Sequence, residues 1–310
     1  MKTLVQRLES IGWRAVAVPY ARRAEAIREV AARHGRGELD EAFYQEYLAP
    51  LVAEPPLETP DPRSLILVAV PDRPVRIHLT LDGAPFAALA SPGCLRKPRS
   101  RLPGLVREIL EPAGFSVARV DGPMKTIAVM SGLVRYGRNN LTYIEGLGSF
   151  YHLAILVSDV PCEPERLARR ESCRACLAVC PTGAIGEDRF LLHAERCLSS
   201  WNEKPPDVPF PDWIEPQGHN AFVGCTVCQE VCPENRPFLT EIVEGPTFDE
   251  QTTRLLLAGT KKEDFPKEVQ AILEEWRLRY LLDILPWNLG ALVTKERNAR
   301  AKGACTKPAG

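Results

Sequence analysis

The sequence predicts a mixed α/β (α+β) domain, then a cysteine-rich metal-binding module, then a small helical segment. Helical and extended patterns alternate over the first 160 residues. Eight of the ten cysteines fall between Cys162 and Cys232, where proline also becomes frequent. A chain of 310 residues exceeds what one compact core usually holds. We therefore expect an α/β domain over 1–160, the cysteine module over 161–237, helices over 238–295 and a flexible tail over 296–310.

The N-terminal elements follow from hydrophobic periodicity. Residues 21–34 form an amphipathic pattern stopped by Gly35, which predicts a helix. The apolar runs at 64–70 and 149–157 are typical of strands covered on both faces, the second of them central. Two alternating segments flank Asp82-Gly83 and predict a hairpin over 75–90. Further predicted elements are a helix around 105–110, a strand at 115–120 and a helix after Pro123.

The C-terminal third is predicted to be helical. One helix is expected over residues 249–258, closed by Gly259, and helical structure over 266–285, with Pro266 at a first turn. Residues 294–310 carry Lys, Arg and the lone Cys305, and we expect them to form a loose tail.

Two copies of one cysteine phrase dominate the middle of the chain. The phrases are Cys173-x2-Cys176-x3-Cys180-Pro181 and Cys225-x2-Cys228-x3-Cys232-Pro233. This spacing is typical of a ferredoxin-like module with two [4Fe-4S] clusters, in which the Cys before each proline serves the other cluster. One cluster would then take Cys180, Cys197, Cys225 and Cys228, and the other Cys173, Cys176, Cys232 and one more ligand.

The fourth ligand of that other cluster is an open question. The usual phrase has a further Cys three residues before Cys173, but Arg170 stands there. Cys162 is the only nearby thiol upstream, and we predict that it completes the set. The alternative is a buried free Cys162 beside a cluster with a distinct fourth site. Zinc is another alternative for paired Cys-x2-Cys elements, although a zinc site requires neither the prolines nor the interleaving.

The bulk composition narrows the class of protein. The chain has 39 Lys and Arg residues and 40 Asp and Glu residues. This balance argues against a protein that binds a polyanion over its whole surface. No apolar run could span a bilayer, and the first residues lack the core of an export signal. Disulfide scaffolds are short secreted chains, so we interpret the thiols as metal ligands and expect a cytoplasmic protein without membrane contact.

A glycine-rich stretch precedes the cysteines. Gly132, Gly137, Gly146 and Gly148 lie close to Arg138 and Asn139, which suits close backbone approach to a large ligand. A plain turn before a core strand is the alternative. Upstream of this stretch, Cys94 either lines a ligand cavity or is an inert thiol.

These segments together resemble the epoxyqueuosine reductase family. The resemblance rests on Gly137-Arg138-Asn139-Asn140, on Gly148-Ser149-Phe150-Tyr151 and on the two cysteine phrases, in this order, and covers about residues 121–235. In that family and in the related reductive dehalogenases, this region helps to hold a cobalamin beside the nearer cluster. The resemblance implies that electrons from a low-potential donor such as ferredoxin or flavodoxin pass through the clusters to cobalt. The implied cofactor contacts are Tyr136, Gly137, Arg138, Asn139, Asn140, Gly148, Ser149, Phe150 and Tyr151.

Several positions depart from the family pattern. Val134 replaces a glycine, Arg135 a tryptophan and Arg138 a lysine. The family's catalytic acid precedes the glycines in a Val-Asp-x-Ala-Pro phrase, and Asp121 in Val-Asp-Gly-Pro is its nearest counterpart, although it can also be a turn residue. A sister family is therefore expected, reducing a small molecule or a modified nucleoside, with tRNA not favoured. The alternative is an iron-sulfur electron-transfer protein with no substrate of its own.

Overall fold

The computed structural model describes residues 1–52, 61–95, 101–162, 173–187 and 191–305. The strands are β1 Arg14–Pro19, β2 Ser64–Pro71, β3 Val75–Leu81, β4 Ala84–Ala90, β5 Val117–Arg119, β6 Arg135–Tyr136, β7 Thr142–Tyr143, β8 Tyr151–Ser158, β9 Ala221–Val223 and β10 Val243–Phe248. The α-helices are α1 Lys2–Ser10, α2 Arg22–Gly35, α3 Glu41–Phe43, α4 Ala49–Val52, α5 Leu102–Leu110, α6 Met124–Met130, α7 Leu198–Trp201, α8 Val227–Glu230, α9 Glu250–Leu257, α10 Lys267–Glu275 and α11 Leu285–Cys305. The predicted mixed α/β class is confirmed.

The first sheet is antiparallel, in the order β1-β2-β8-β5. Its two central strands are the apolar runs predicted from the sequence, and both predictions are confirmed. Along β2, Leu65 and Leu67 enter one hydrophobic cluster while Ile66 and Val68 enter another on the opposite face. Because successive side chains of a strand point to opposite faces, a strand buried on both faces has no polar alternation.

The second sheet is built around the predicted hairpin, which is confirmed. β3 and β4 pair in antiparallel fashion through a tight turn in which Asp82 and Gly83 have φ of 53° and 69°. Both residues thus adopt the left-handed conformation that a two-residue hairpin turn favours.

Strands from later in the chain complete this second sheet. β10 adds to β3 and β9 adds to β4, both in parallel, giving the order β10-β3-β4-β9. Elements on either side of residues 160 and 237 therefore hydrogen-bond to one another, and the division of the chain at those residues stays a prediction. A hydrophobic core that includes Leu79, Phe222, Phe248 and Leu289 lies between this sheet and the C-terminal helices.

The predicted loose tail is wrong for residues 294–305, because α11 continues to Cys305. Leu292 and Val293 are buried in the second core, and Arg297 pairs with Asp82 at the hairpin turn. Lys295 donates to the carbonyl of His219 at 2.6 Å. These contacts hold the helix beyond the position where its sequence becomes polar. In the described part of the chain, no helix combines the length and apolar character needed to cross a membrane.

Candidate iron-sulfur site and adjoining cleft

The two cysteine phrases occupy short turns beside the second sheet. Cys225 follows β9, Cys228 lies in α8, and Cys232 precedes a 3-10 turn over Pro233–Phe238. Cys173 is exposed, whereas the other described cysteines are half-buried, and no disulfide joins any of the described cysteines.

Four thiols are grouped at the buried end of the module. Burial raises the pKa of Cys197, and Cys180 raises it further. Burial likewise raises the pKa of Cys225, to which Cys197 and Cys180 add. The pKa of Cys228 rises to about 12 through burial, with further contributions from Cys225 and Cys197. These mutual effects require the four thiols to lie close together, and they are the four that the sequence predicts for one cluster.

The remaining three thiols, Cys173, Cys176 and Cys232, line a cavity of about 180 Å³ together with Cys228 of the first group. Burial raises the pKa of Cys176, and Cys173 and Cys232 also contribute. Among the described residues, no three His, Cys, Asp or Glu side chains are grouped to hold one metal ion.

The predicted fourth ligand lies at the edge of the described region. Cys162 is half-buried just after β8. Arg170 lies outside the described residues, as does the rest of the segment 163–172. Cys162 as a cluster ligand therefore stays a prediction.

Three polar side chains lie beside the cysteines. Asn220 Nδ2 donates to Cys225 Sγ at 3.2 Å. Asn139 lines the same cavity as Cys228 and lowers the pKa of that thiol against the effect of burial. Tyr143 lines this cavity with Cys232, and burial first, then Cys232, raises the pKa of its hydroxyl.

The glycine-rich stretch packs against the protein itself. A Cβ on Gly137 would lie 2.5 Å from a ring carbon of Tyr143, and a Cβ on Gly148 would lie 3.0 Å from the carbonyl oxygen of Glu234. Gly148 also has φ of 61°. Close approach by side chains and backbone of this chain explains these glycines. Their assignment as cofactor contacts stays a prediction.

The neighbouring predicted contacts tie the first sheet to the second cysteine phrase. Ser149 N donates to Asn235 Oδ1 at 2.8 Å, and Ser149 Oγ donates to Gln229 Oε1 at 3.1 Å. Asn235 is fully buried and donates to the Gln229 carbonyl at 3.0 Å. Phe150, which is also buried, precedes β8. These residues therefore position the cysteines.

The other predicted contacts hold the first phrase and its surroundings. Arg138 donates to the carbonyl of Gly186 at 3.0 Å, and Asn140 Oδ1 accepts from the backbone N–H of Leu192. Tyr136 bonds Thr126 at 3.3 Å through its hydroxyl, while Tyr151 donates to Thr142 at 2.6 Å. The turn at 137–140 thus contacts the segment that follows the first cysteine phrase.

Two exposed side chains of opposite charge, Lys125 and Glu203, lie near Cys197. Lys125 on α6 is exposed and donates to the Asn140 carbonyl at 3.3 Å, yet desolvation by the surrounding protein lowers its pKa, against the opposing effects of Cys197 and Glu203. Glu203 is also exposed, and desolvation raises its pKa while Lys125 lowers it. A side chain that water reaches but protein surrounds lies in a concave site. The walls of this cleft were missed by the sequence reasoning, because nothing in the sequence brings α6 next to residue 203.

Cys94 lies near Glu203 as well. Burial raises its pKa to about 12, and Glu203 and then Asp72 add to the effect. Such a thiol stays protonated at neutral pH, as expected for an inert thiol, and a place in the wall of a ligand cavity stays the other prediction. Asp121, the predicted acid, is exposed just before α6, and its backbone carbonyl accepts from Arg23 Nε at 3.0 Å. Its catalytic role stays a prediction.

Residues 171–235 match the 4Fe-4S double cluster binding domain family, which places a double-cluster module where the phrases predict it. Among curated proteins, the chain is 30% identical to epoxyqueuosine reductase of Cyclobacterium marinum over 48% of this chain and 54% of the relative. It is 30% identical to the Escherichia coli enzyme over 56% and 48%, and 28% identical to the Staphylococcus aureus enzyme over 82% and 69%. The first two alignments span about half of those relatives.

Solved structures of the same enzymes share the fold. The Bacillus subtilis epoxyqueuosine reductase, with its catalytic aspartate loop swung out of the active site, has a TM-score of 0.67 at 20% identity, covering 97% of this chain and 82% of that one. The Streptococcus thermophilus enzyme has a TM-score of 0.64 at 19% identity, covering 99% and 86%. The predicted resemblance to the epoxyqueuosine reductase family is confirmed.

Proposed function

We propose that this chain is an iron-sulfur reductase that passes low-potential electrons through two [4Fe-4S] clusters to a cobalamin in the Lys125–Glu203 cleft. The reduced cofactor would act on an electrophilic substrate. The observation that carries the proposal is the position of Lys125: it donates to the Asn140 carbonyl at 3.3 Å, in the glycine-rich stretch, and Cys197 and Glu203 both influence its pKa.

The two groups of thiols differ in a way that suits directed electron transfer. Cys173 is exposed, so the cluster that it would bind lies where an outside donor such as ferredoxin or flavodoxin can approach. Cys197 and Cys225 are more deeply placed and border the cleft side of the module. Electrons would therefore enter at the exposed phrase and leave from the buried set.

The cleft has side chains that fit a cobalamin. A corrin carries amide side chains around an apolar macrocycle, and such amides both donate and accept hydrogen bonds. Lys125 and Glu203 provide an ammonium donor and a carboxylate acceptor in one desolvated cleft. When bound, a cobalamin would supply a strongly nucleophilic, low-potential metal centre.

Residues of this chain would orient the bound cofactor and supply a proton to the substrate. Lys125 and Glu203 would hold the ligand at the wall that faces Cys197, and the buried surroundings would limit water. Asp121 lies four residues before Lys125, and we propose that its carboxylic acid gives a proton to the atom that leaves the substrate.

The substrate class follows from the relatives. One epoxyqueuosine reductase is solved with an epoxyqueuosine-modified tRNA-Tyr stem loop, and its TM-score to this chain is 0.62 at 20% identity. We propose a modified nucleoside, or a small molecule with a similar electrophilic carbon, as the substrate here. A stem loop of that kind is the first substrate to test.

The experiment is an anaerobic titration of cluster-loaded protein with cobalamin, followed by optical spectra. We expect saturable binding that weakens about tenfold in the double variant Lys125→Met/Glu203→Gln, equivalent to about 1.4 kcal/mol. Lys267→Met/Glu268→Gln, on the exposed start of α10, is the matched control and should bind as the unaltered protein does. Absence of binding with both clusters present would favour the alternative of an electron-transfer protein.

A further inference from the structure

A buried side-chain pair lies between the two groups of thiols. Asn139 and Tyr143 are 5% and 3% exposed, and Asn139 Nδ2 donates to the Tyr143 hydroxyl at 2.9 Å. Both line the cysteine cavity together with Cys228 and Cys232. Neither residue touches the solvent, so their polar atoms must be satisfied inside the protein.

The pair has two hydrogens left to donate inside the cavity. Asn139 Oδ1 accepts from the backbone N–H of Leu141 at 3.2 Å, which fixes the amide orientation. The amide nitrogen donates one hydrogen to the Tyr143 hydroxyl and has a second, and that hydroxyl has a proton of its own. Both side chains lie in the cavity wall with Cys228 and Cys232, where these donors can serve the sulfurs of bound clusters.

The two sulfurs belong to different predicted clusters. The predicted ligand sets assign Cys228 to the cluster of Cys180, Cys197 and Cys225, and Cys232 to the cluster of Cys173 and Cys176. The Asn139–Tyr143 pair therefore lies beside predicted ligands of both clusters.

We propose that Asn139 and Tyr143 are positioning residues that set the reduction potentials of the two clusters relative to each other. This inference rests on the two clusters of the proposed function, although not on cobalamin or on any substrate. A donor to a ligand sulfur stabilises the more negative, reduced cluster, and hydrogen bonds to sulfur are among the factors that tune cluster potentials. Tyr143 would raise the potential of the cluster bound by Cys232, and Asn139 that of the cluster bound by Cys228.

Gly137 leaves room for the Tyr143 ring in this arrangement. The ring of Tyr143 lies over Gly137, where a Cβ would be 2.5 Å from the ring and 2.7 Å from Asn139 Oδ1. The Arg135 guanidinium lies over the Tyr143 ring, 5.7 Å from the ring centroid. The missing side chain at Gly137 thus lets the hydroxyl reach the sulfur.

The test is a potentiometric titration of reconstituted protein followed by electron paramagnetic resonance. Tyr143→Phe should move the potential of one cluster to more negative values and leave the other unchanged. Asn139→Leu should move both, because it also removes the donor to Tyr143. Tyr136→Phe is the matched control: Tyr136 pairs with Thr142 in the same hairpin, its hydroxyl bonds Thr126, and neither potential should change.

Iron content separates the possible failures. If Tyr143→Phe keeps the full iron content and both potentials of the unaltered protein, the proposal is wrong. A shift of equal size in Tyr136→Phe would also overturn it. If the unaltered protein takes up no iron, the proposed function is wrong, and this inference is wrong with it because no cluster potential exists. Resonance Raman spectra in H2O and D2O give an independent check, since the deuterium sensitivity of the iron–sulfur stretches should fall in Tyr143→Phe.

Discussion

The two cysteine phrases have the same spacing but different surroundings. The second phrase is fastened to the first sheet by fully buried Asn235, whose amide bonds both Ser149 and Gln229. The first phrase begins at exposed Cys173 and is held at its far end by Arg138. Under the proposed function, this difference would let the solvent-facing cluster meet a donor and the more enclosed one deliver electrons to the cleft.

The largest expected effect comes from removing a thiol of the enclosed set. Cys225→Ala should lower the iron content from about eight to about four per chain. It should also destabilise the protein, since metal binding and folding are coupled in such loops. Iron analysis and thermal unfolding check both. Cys173→Ala should lose a similar amount of iron with a smaller change in Tm, and a larger change there would reverse the comparison.

The next largest effect on stability is expected at Asn235, which ties the second cysteine phrase to Ser149. Asn235→Ala removes an amide that satisfies Ser149 N and the Gln229 carbonyl, so buried partners are left without hydrogen bonds. We expect a loss of about 2–4 kcal/mol in the free energy of unfolding, measured by urea denaturation of the cluster-loaded protein. Asn220→Ala, beside Cys225 but half-buried, is the control and should cost less.

A smaller effect is expected at the glycine that lies under Tyr143. The φ of Gly137 is not in the left-handed region, so alanine meets no backbone strain there, only the Tyr143 ring and Asn139 Oδ1. Gly137→Ala should cost about 1–3 kcal/mol through overpacking. Gly104→Ala, on α5 with open space around it, should be neutral or stabilising. Equal costs at the two positions would show that the Tyr143 contact is not tight.

These elements show how far the sequence could be interpreted. Local sequence patterns predict three features of this chain: the buried strands at 64–70 and 149–157, the hairpin turn and the cysteine grouping. Each depends on residues that lie close together in the sequence. The helix continuing past Thr294 was not, because its contacts to Asp82 and His219 come from distant segments. The cleft of Lys125 and Glu203 was missed for the same reason, since only tertiary packing brings α6 to residue 203.

The smallest expected effect is the pH dependence of the cleft. Desolvation raises the pKa of Glu203 above its ordinary value of 4.5, so the folded state holds this proton more tightly than the unfolded state does. Its contribution to stability is therefore present below pH 4.5 and is lost as pH rises through the higher folded value. Glu203→Gln should reduce this decline by less than about 1 kcal/mol, because water reaches the carboxylate. Urea titrations between pH 4 and 8 measure it, and a steeper decline would contradict the assignment.

The parallel addition of β9 and β10 to the hairpin has a consequence for biosynthesis. Val75 pairs with Val243, and Ala90 pairs with Val223, so neither edge of the hairpin is closed until the ribosome has produced most of the chain. Contacts so distant in sequence form slowly. We expect the cysteine loops to receive their iron only after, or together with, this late closure. A nascent chain released before β9 would then expose both bare sheet edges and reactive thiols to the cell.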